Sequence, residues 1–509
     1  MVPVKLSSET LAQLDRPGPT ASGLAVPGYD RSQIRTGIMH FGVGGFHRAH
    51  QAMYLDRLMN QGQAYDFGIC GVGVLPHDRH MAEVMTEQDC LYTLVLKHAD
   101  GRKEARIIGS MIDYLYAPED PERVLEQLAA PEVRIVSLTI TEGGYNIDRI
   151  SGEFQAEDPA VQRDAQAGPG QAPGTVFGLI IEGLRRRRER GHPPFTIMSC
   201  DNIQGNGTIA RKVFTSFARL REETLVAQGE PAGLSAWVQE HVPFPNSMVD
   251  RITPVTSDAD RTALSEEFGI EDGWPVVCEP FTQWVLEDDF AAGRPALDQV
   301  GVQLVSDVEP YELMKLRLLN ASHQALCYFG YLAGYRFAHE AAQDADLAQL
   351  LLDYMHLEAE PTLAPVPGID LAQYQRTLIE RFSNEYVRDT LARLCAESSD
   401  RIPTWLLPVV RANLVAQRDV HRSAAVVASW ARYAEGVDEQ GQPIKVVDRL
   451  KGQLMAAAAR QHENPLAFLE QAEVFGNLAA EPRFTEAYLS ALNSLHEQGS
   501  KVTVQGLVR

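Results

Sequence analysis

The first part of the chain alternates short apolar runs of strand length with glycine turns and helix-like stretches. Residues 1–36 read as an irregular lead-in rich in Pro, Gly and Ser. Residues 38–41 form an apolar strand that meets Gly42, Gly44 and Gly45, and a helix follows with Tyr54, Leu55 and Leu58 on its apolar side. Residues 67–74 are a second buried-strand run, followed by Pro76-His77-Asp78. Residues 91–97 and 106–109 read as a strand pair, 121–129 as a helix, and 133–140 as a strand ending in Thr141-Glu142-Gly143-Gly144-Tyr145. Residues 151–174 look like a surface excursion, 176–190 a helix, and 195–200 a strand that ends in Asp201-Asn202. Two extended pieces between prolines follow, at 244–254 and 274–281. Strands alternating with helical periods predict βαβ units and a parallel sheet. From about residue 305 the period is helical to the end. Periodic stretches lie at 340–357, 371–396, 422–434 and 481–497, and Pro-rich loops at 361–368 and 403–408. The fold class expected is α/β, with an N-terminal Rossmann-like domain over 1–304 and an α-helical domain over 305–509. An alternative boundary falls as early as about residue 230.

One helix stands out from this pattern. Residues 310–323 have no Gly and no interior Pro, and are dense in Leu and Met. At about 100° per residue, with Lys315 at zero, Glu312 falls at about 60°, His323 at about 80° and Asn320 at about 140°. Leu316 and Leu319 share this wedge, so it is not a water face. A buried helix is therefore expected to carry four polar side chains into the interior, where the two halves of the chain meet. Burial disfavours the charged form of Lys and pushes its pKa toward neutral values. Base, amide donor and orienting imidazole together suit removal of a proton from an alcohol. The structural alternative is a lysine that snorkels out of a core helix, with Asn and His as satisfied core polar groups.

Composition narrows the setting. The 509 residues are 45% hydrophobic and 22% charged, with a net charge of −22. That is a globular chain, and its acidity argues against a nucleic-acid partner. The one basic cluster, Arg185 to Arg190, reads as a solvated helix end favoured by the dipole. Six scattered cysteines without a C-x-x-C suggest small core residues in a reducing, cytoplasmic setting. The first residues carry no signal-peptide pattern, and no apolar run is long enough to span a membrane.

Strand, glycine turn and helix in succession aim backbone N–H groups at a pyrophosphate. The third glycine of G-x-G-x-x-G is absent, since position 47 is His. A tight structural turn is the competing reading. Asp78 lies beyond the next strand, where an acid would hold the adenosine ribose of NAD, although it also suits a helix N-cap. Asn202, at a strand's C-terminal end, suits an oxyanion donor or a cap of the following helix. A zinc enzyme would need clustered Cys and His ligands; His40, His47 and His50 near the turn have no Cys at a useful spacing, so no metal is expected.

Together these residues resemble a known family, the polyol-specific long-chain dehydrogenases/reductases. The resemblance covers nearly the whole chain. It rests on the turn from Gly42 to His50, the Thr141–Tyr145 loop, Cys200-Asp201-Asn202, the segment 248–254, and the spacing Lys315-x4-Asn320-x2-His323. The family's turn lacks the third glycine too. The resemblance implies a reversible, metal-independent oxidation of D-mannitol to D-fructose with NAD, by a soluble monomer. In it Lys315 is the general base, Asn202 and Asn320 the oxyanion hole, and Glu312 a proton relay to solvent. Asp250, His323, Arg393 and Arg401 correspond to positions that hold the substrate. Phe41, Gly42, Val43, Gly44, Gly45, Phe46, Arg48, Ala49, Asp78 and Glu142 correspond to positions around the cofactor, Asp78 favouring NAD over NADP. Two residues depart from the family pattern. His77 stands where the closest relatives have an acid, and Arg401 where they have Lys. D-fructuronate, through a carboxylate held by Arg393 and Arg401, and D-arabinitol are alternative substrates. A Schiff-base aldolase lysine and a non-catalytic NAD sensor are alternatives of another class.

Overall fold

The computed structural model describes residues 3–14, 24–148, 151–168 and 171–508. Parts of the predicted lead-in (1–2 and 15–23) and two residues of the predicted excursion (169–170) lie outside the described residues. The chain divides into two compact units. The first holds residues 1–98 and 102–308, the second 99–101 and 309–509.

The first unit is built on a five-stranded sheet, β1 (Thr36–Phe41), β2 (Gly68–Gly73), β3 (Met111–Tyr116), β4 (Ile135–Leu138) and β5 (Thr196–Ser199), in the order β3-β2-β1-β4-β5. Every pairing is parallel. Parallel strands need both faces covered, and the sequence supplies this by alternation. Met39, Phe41, Cys70, Val72, Val136 and Leu138 share one core with residues of the helices Pro121–Ala129, Val176–Glu189 and Asn206–Ala227. Ile38, Ile69 and Ile135 point the other way, into a core with the helices Gln51–Asn60 and Arg79–Glu87. The order reverses at β1, whose neighbours are β2 and β4, so the crevice beyond the C-terminal ends of β1 and β4 is the ligand position of such sheets. The predicted strand pair is present as Tyr92–Lys97 and Lys103–Ile108, antiparallel. The lead-in is less irregular than its composition suggests, because Val4–Lys5 pairs with Ile270–Glu271.

The second unit contains helices throughout. Its centre is the helix Ala321–Leu332, of which all residues from Ala321 to Gly330 are buried. A helix buried on every side belongs in the middle of a bundle. Around it pack His421–Tyr433, Ala345–Asp353, Leu391–Leu394 and Ser500–Leu507. Among the described residues no helix is long and apolar enough to cross a membrane.

Two local expectations are corrected. Residues 403–408 are not a loop but the meeting of two helices, Ser398–Trp405 and Leu407–Val415. Pro408 sits in the first turn of the second, where a missing N–H costs nothing, while Pro403 lies near the end of the first. The Arg185–Arg190 run is not simply a solvated helix end. Arg187 is fully buried and donates to the Pro193 carbonyl beyond its own helix and to the carbonyls of Leu128 and Ala130 at the end of the neighbouring helix. Burial pushes the Arg187 guanidinium down to about 10. Arg188 and Arg190 are exposed, while Arg185 and Arg186 are half-buried and pair with Glu182, Glu189, Glu122 and Glu126.

Candidate active site

In the first unit the candidate residues gather at the C-terminal ends of the parallel strands. β1 ends at Phe41, and Gly42 turns the chain with φ +89°. A Cβ at Gly42 would stand 2.1 Å from the Thr139 carbonyl oxygen, so both conformation and space demand glycine. Gly44 and Gly45 differ. A Cβ there would meet its nearest atoms at 3.9 and 3.6 Å. The packing does not require these glycines, and their smallness leaves open the approach to the N–H groups of the first helical turn, as a pyrophosphate needs. That turn, Gly45–Ala49, breaks at His50 before the longer helix begins.

Buried polar groups fix the turn from behind. His40 on β1 meets the Ser137 hydroxyl at 2.8 Å and the Thr139 hydroxyl at 2.9 Å. Thr139 donates to the Gly42 carbonyl at 2.7 Å. His47 stacks on His40 with ring centroids 3.4 Å apart. Burial pushes His40 down to about 3 and His47 well below the usual range, so both rings are neutral. Arg48 is buried as well. Its guanidinium bonds the carbonyls of Trp274 and Gly44 and lies over the Tyr92 ring. Arg48 thus shapes the turn from inside, and Phe41 and Ala49 are fully buried beside it.

Asp78 closes the end of β2. Its Oδ2 accepts from the N–H groups of Val74 and Leu75, both at 2.8 Å. It stands at the cap position of the helix Arg79–Glu87 but makes no side-chain bond to that helix. His77, fully on the surface, lies 3.6 Å from Oδ1. At the end of β4 the loop 141–145 is a single helical turn with Glu142 exposed. Asp201, just past β5, holds this turn: it accepts from the N–H groups of Ile140 and Thr141 and from the Tyr145 hydroxyl at 2.8 Å. Burial pushes the Asp201 carboxyl up, against those donors. Asn202 next to it is exposed. The capping role weighed for Asn202 falls to Gly205 instead, and Asn206 bonds Asp201 and Ser247. Asp250 ends the strand Ser247–Asp250 and is buried beside Arg251, which donates to the carbonyls of Glu279 and Ala49.

In the second unit the helix expected over 310–323 is three pieces. Glu309–Met314 is α-helical, Lys315–Asn320 is π-helical, and Ala321–Leu332 is α-helical again. In an i→i+5 ladder a residue five places on lies close to one turn above. The π segment therefore brings Asn320 round toward the direction of Lys315, narrowing the wedge that regular winding gives. Glu312, Lys315, Asn320 and His323 are all buried, and the His323 ring packs on Phe382 at 4.3 Å.

The π turn is held from outside. Tyr354 donates to the Arg317 carbonyl at 3.1 Å, and Arg317 donates to the Thr362 carbonyl at 2.5 Å. Tyr354 itself begins a second π segment, Tyr354–Ala359. Within that segment Glu358 is fully buried and accepts from the N–H groups of Arg422 and Ser423, capping the helix His421–Tyr433. Neither π turn, nor the Asp201 clamp, was visible from residue types alone.

Arg393 and Arg401 lie on the segment that Gln324 and Tyr328 tie to the central helix, through Leu394 and Ser398. Arg393 already faces a carboxylate, Asp389, through two parallel bonds. Arg401 donates to the carbonyls of Arg393 and Leu394 at 3.1 and 3.0 Å and lies over Trp405.

Comparison with known proteins gives one consistent answer. Residues 36–299 match the model of the mannitol dehydrogenase Rossmann domain, and residues 307–496 that of the mannitol dehydrogenase C-terminal domain. The mannitol 2-dehydrogenase of Neosartorya fischeri is 42% identical over 99% of both chains. The solved structure of Pseudomonas fluorescens mannitol 2-dehydrogenase, a ternary complex with NAD and D-mannitol, superposes with a TM-score of 0.87 at 44% identity, covering 99% of each chain. A D-sorbitol dehydrogenase in substrate-free form gives the same TM-score of 0.87 at 36% identity, over 98% of this chain and 100% of that one. With both halves matched in order and nearly every residue aligned, the chain belongs to the mannitol dehydrogenase family.

Proposed function

We propose that this chain is an NAD-dependent mannitol 2-dehydrogenase, which interconverts D-mannitol and D-fructose without a catalytic metal. The observation that carries the reading is the buried π turn that runs from Lys315 to Asn320, a winding that favours one side of the helix for both side chains. It is joined by the likeness to a structure that holds NAD and D-mannitol.

Bound NAD⁺ supplies the hydride acceptor for the hydrogen on C2. The chain's own residues manage the proton and the oxygen. Lys315 Nζ takes the C2 hydroxyl proton, a role helped by burial, which penalises a charged amine. Asn320 and Asn202 donate amide hydrogen bonds to the oxygen as it gains alkoxide character. Glu312, one turn before Lys315, passes the proton on to solvent. Asp250, His323 and Arg393 hold the remaining hydroxyls, with Arg401 fixing the Arg393 segment. The open Gly44 and Gly45 fit a pyrophosphate, and the second Asp78 oxygen fits a ribose hydroxyl while repelling an added phosphate. Glu142 lies on the turn that Asp201 holds at the same edge of the sheet.

The hexuronate alternative is disfavoured by the state of Arg393. Its guanidinium fork is matched to Asp389, so a substrate carboxylate would have to displace that partner. The likeness to a D-sorbitol dehydrogenase supports a second reading within the family. D-mannitol and D-sorbitol differ only in configuration at C2, so both yield D-fructose. The test is therefore the product of reduction. NADH and D-fructose are expected to give D-mannitol, with little NADH consumed by D-fructuronate and far less turnover with NADPH. D-sorbitol as the main product, or faster turnover of D-fructuronate, overturns the mannitol assignment.

The turn makes its own prediction. Gly42→Ala forces a left-handed residue against the Thr139 carbonyl, at a strain of about 1–3 kcal/mol. Dinucleotide affinity, read by fluorescence titration, is expected to fall by roughly tenfold or more, in line with that strain. The Gly44→Ala variant should keep its fold, since its Cβ comes no nearer than 3.9 Å to the Gly42 carbonyl oxygen, and lose affinity through the blocked approach.

A further inference from the structure

Three side chains of the second unit, on separate segments, bring metal-binding atoms together. Glu435 follows the helix His421–Tyr433, His462 lies in the turn after the helix Lys451–Ala459, and His496 is in the last turn of Pro482–Gln498. Their ligand atoms all lie within 4.8 Å of one another. His496 Nε2 stands 2.7 Å from Glu435 Oε1, and the two imidazole rings are 5.2 Å apart, tilted by 32°. We propose that Glu435, His462 and His496 form a binding site for a divalent transition cation of the zinc type, which braces these three segments.

The donor set suits the chemistry. Two imidazoles and one carboxylate are ordinary zinc ligands, at about 2.0–2.2 Å, and leave a fourth position for water. Tetrahedral ligand atoms at that radius lie roughly 3.5 Å apart, so the set needs only small side-chain shifts. Binding exchanges the His496–Glu435 hydrogen bond for coordination of both groups, and the imidazole proton moves to the other ring nitrogen or to solvent. Supporting partners are in place, as metal sites require. Gln461 is buried and donates to Glu435 Oε1 at 3.2 Å, and is itself fixed by the Tyr488 hydroxyl at 3.0 Å. Arg432 holds the second carboxylate oxygen at 3.0 Å, which makes Glu435 a one-oxygen ligand. His462 and Gln461 are adjacent, so the turn that brings the supporting amide also brings the ligand.

The experiment uses full-length, untagged, metal-stripped protein. Calorimetric titration with Zn²⁺ is expected to show one saturable equivalent per chain, and Co²⁺ to give the visible bands of a four-coordinate site. His462→Ala and His496→Ala each change an outlying imidazole and should fold. Each is expected to lower Zn²⁺ affinity at least tenfold and to abolish the zinc-induced rise in melting temperature. No saturable uptake by the unaltered chain, or uptake that survives either substitution, overturns the proposal.

Discussion

Lys315→Ala is expected to lower the rate of polyol oxidation at pH 7 by roughly 10³-fold or more, the loss expected of a missing general base. The side chain to be removed is buried in the π turn, so packing must be separated from chemistry. Lys315→Met keeps most of the apolar stem and discards only the amine. If the amine is the base, both variants lose the same large factor in kcat, while Met restores whatever thermal stability Ala gives up. The pH profile adds a second readout. A rate that depends on a neutral amine rises with pH through the amine's ionisation. In both variants that rise is replaced by a shallow dependence on hydroxide. Near-normal oxidation by Lys315→Met at pH 7 excludes the assignment. Borohydride addresses the Schiff-base alternative: added with D-fructose, it is expected to leave no adduct on the unaltered chain, since a base makes no covalent bond.

Much of the first unit was legible because its strands obey two rules at once. They are apolar runs bounded by glycine and polar residues, and they alternate inside the run, so Ile38 and Ile135 face one layer of helices while Met39 and Val136 face the other. The glycine turn was legible as a turn. Which glycine serves the fold and which leaves room became clear only from the space around each. The Asp201 clamp was hidden, because an Asp-Asn pair after a strand reads equally as a ligand and as a cap. The second unit was legible as helices but not in their winding. Lys-Leu-Arg-Leu-Leu-Asn is an ordinary helix former. Its i→i+5 ladder is held from elsewhere, by the Tyr354 hydroxyl on the Arg317 carbonyl and by Thr362 on the Arg317 guanidinium. Arg187 was misread for a similar reason, since five basic residues in a short run look solvated until one finds carbonyls to close. Pro403 was taken as a helix breaker, although a proline near the end of a short helix disturbs little.

The winding leads us to expect of Asn320 an effect out of proportion to its chemistry. Asn320→Ala is expected to reduce kcat for oxidation by about 10²–10³-fold, as loss of an oxyanion donor does elsewhere. KM for the polyol should change far less, because the amide is expected to bond strongly only when the oxygen carries charge. Asn320→Asp is close to isosteric but brings a carboxylate toward that charge, so its kcat should be at least as low as that of the alanine variant. Gln at this position keeps the amide but displaces it by one methylene. It should recover only part of the rate, since preorganised donors act through their placement. A merely structural Asn320 would give another pattern. Asp, Ala and Gln would then rank by melting temperature rather than by charge, and KM and kcat would shift together. Steady-state kinetics of the three variants beside their unfolding curves decides between the two, and equal kcat for Asn320→Asp and the unaltered chain removes Asn320 from the oxyanion hole.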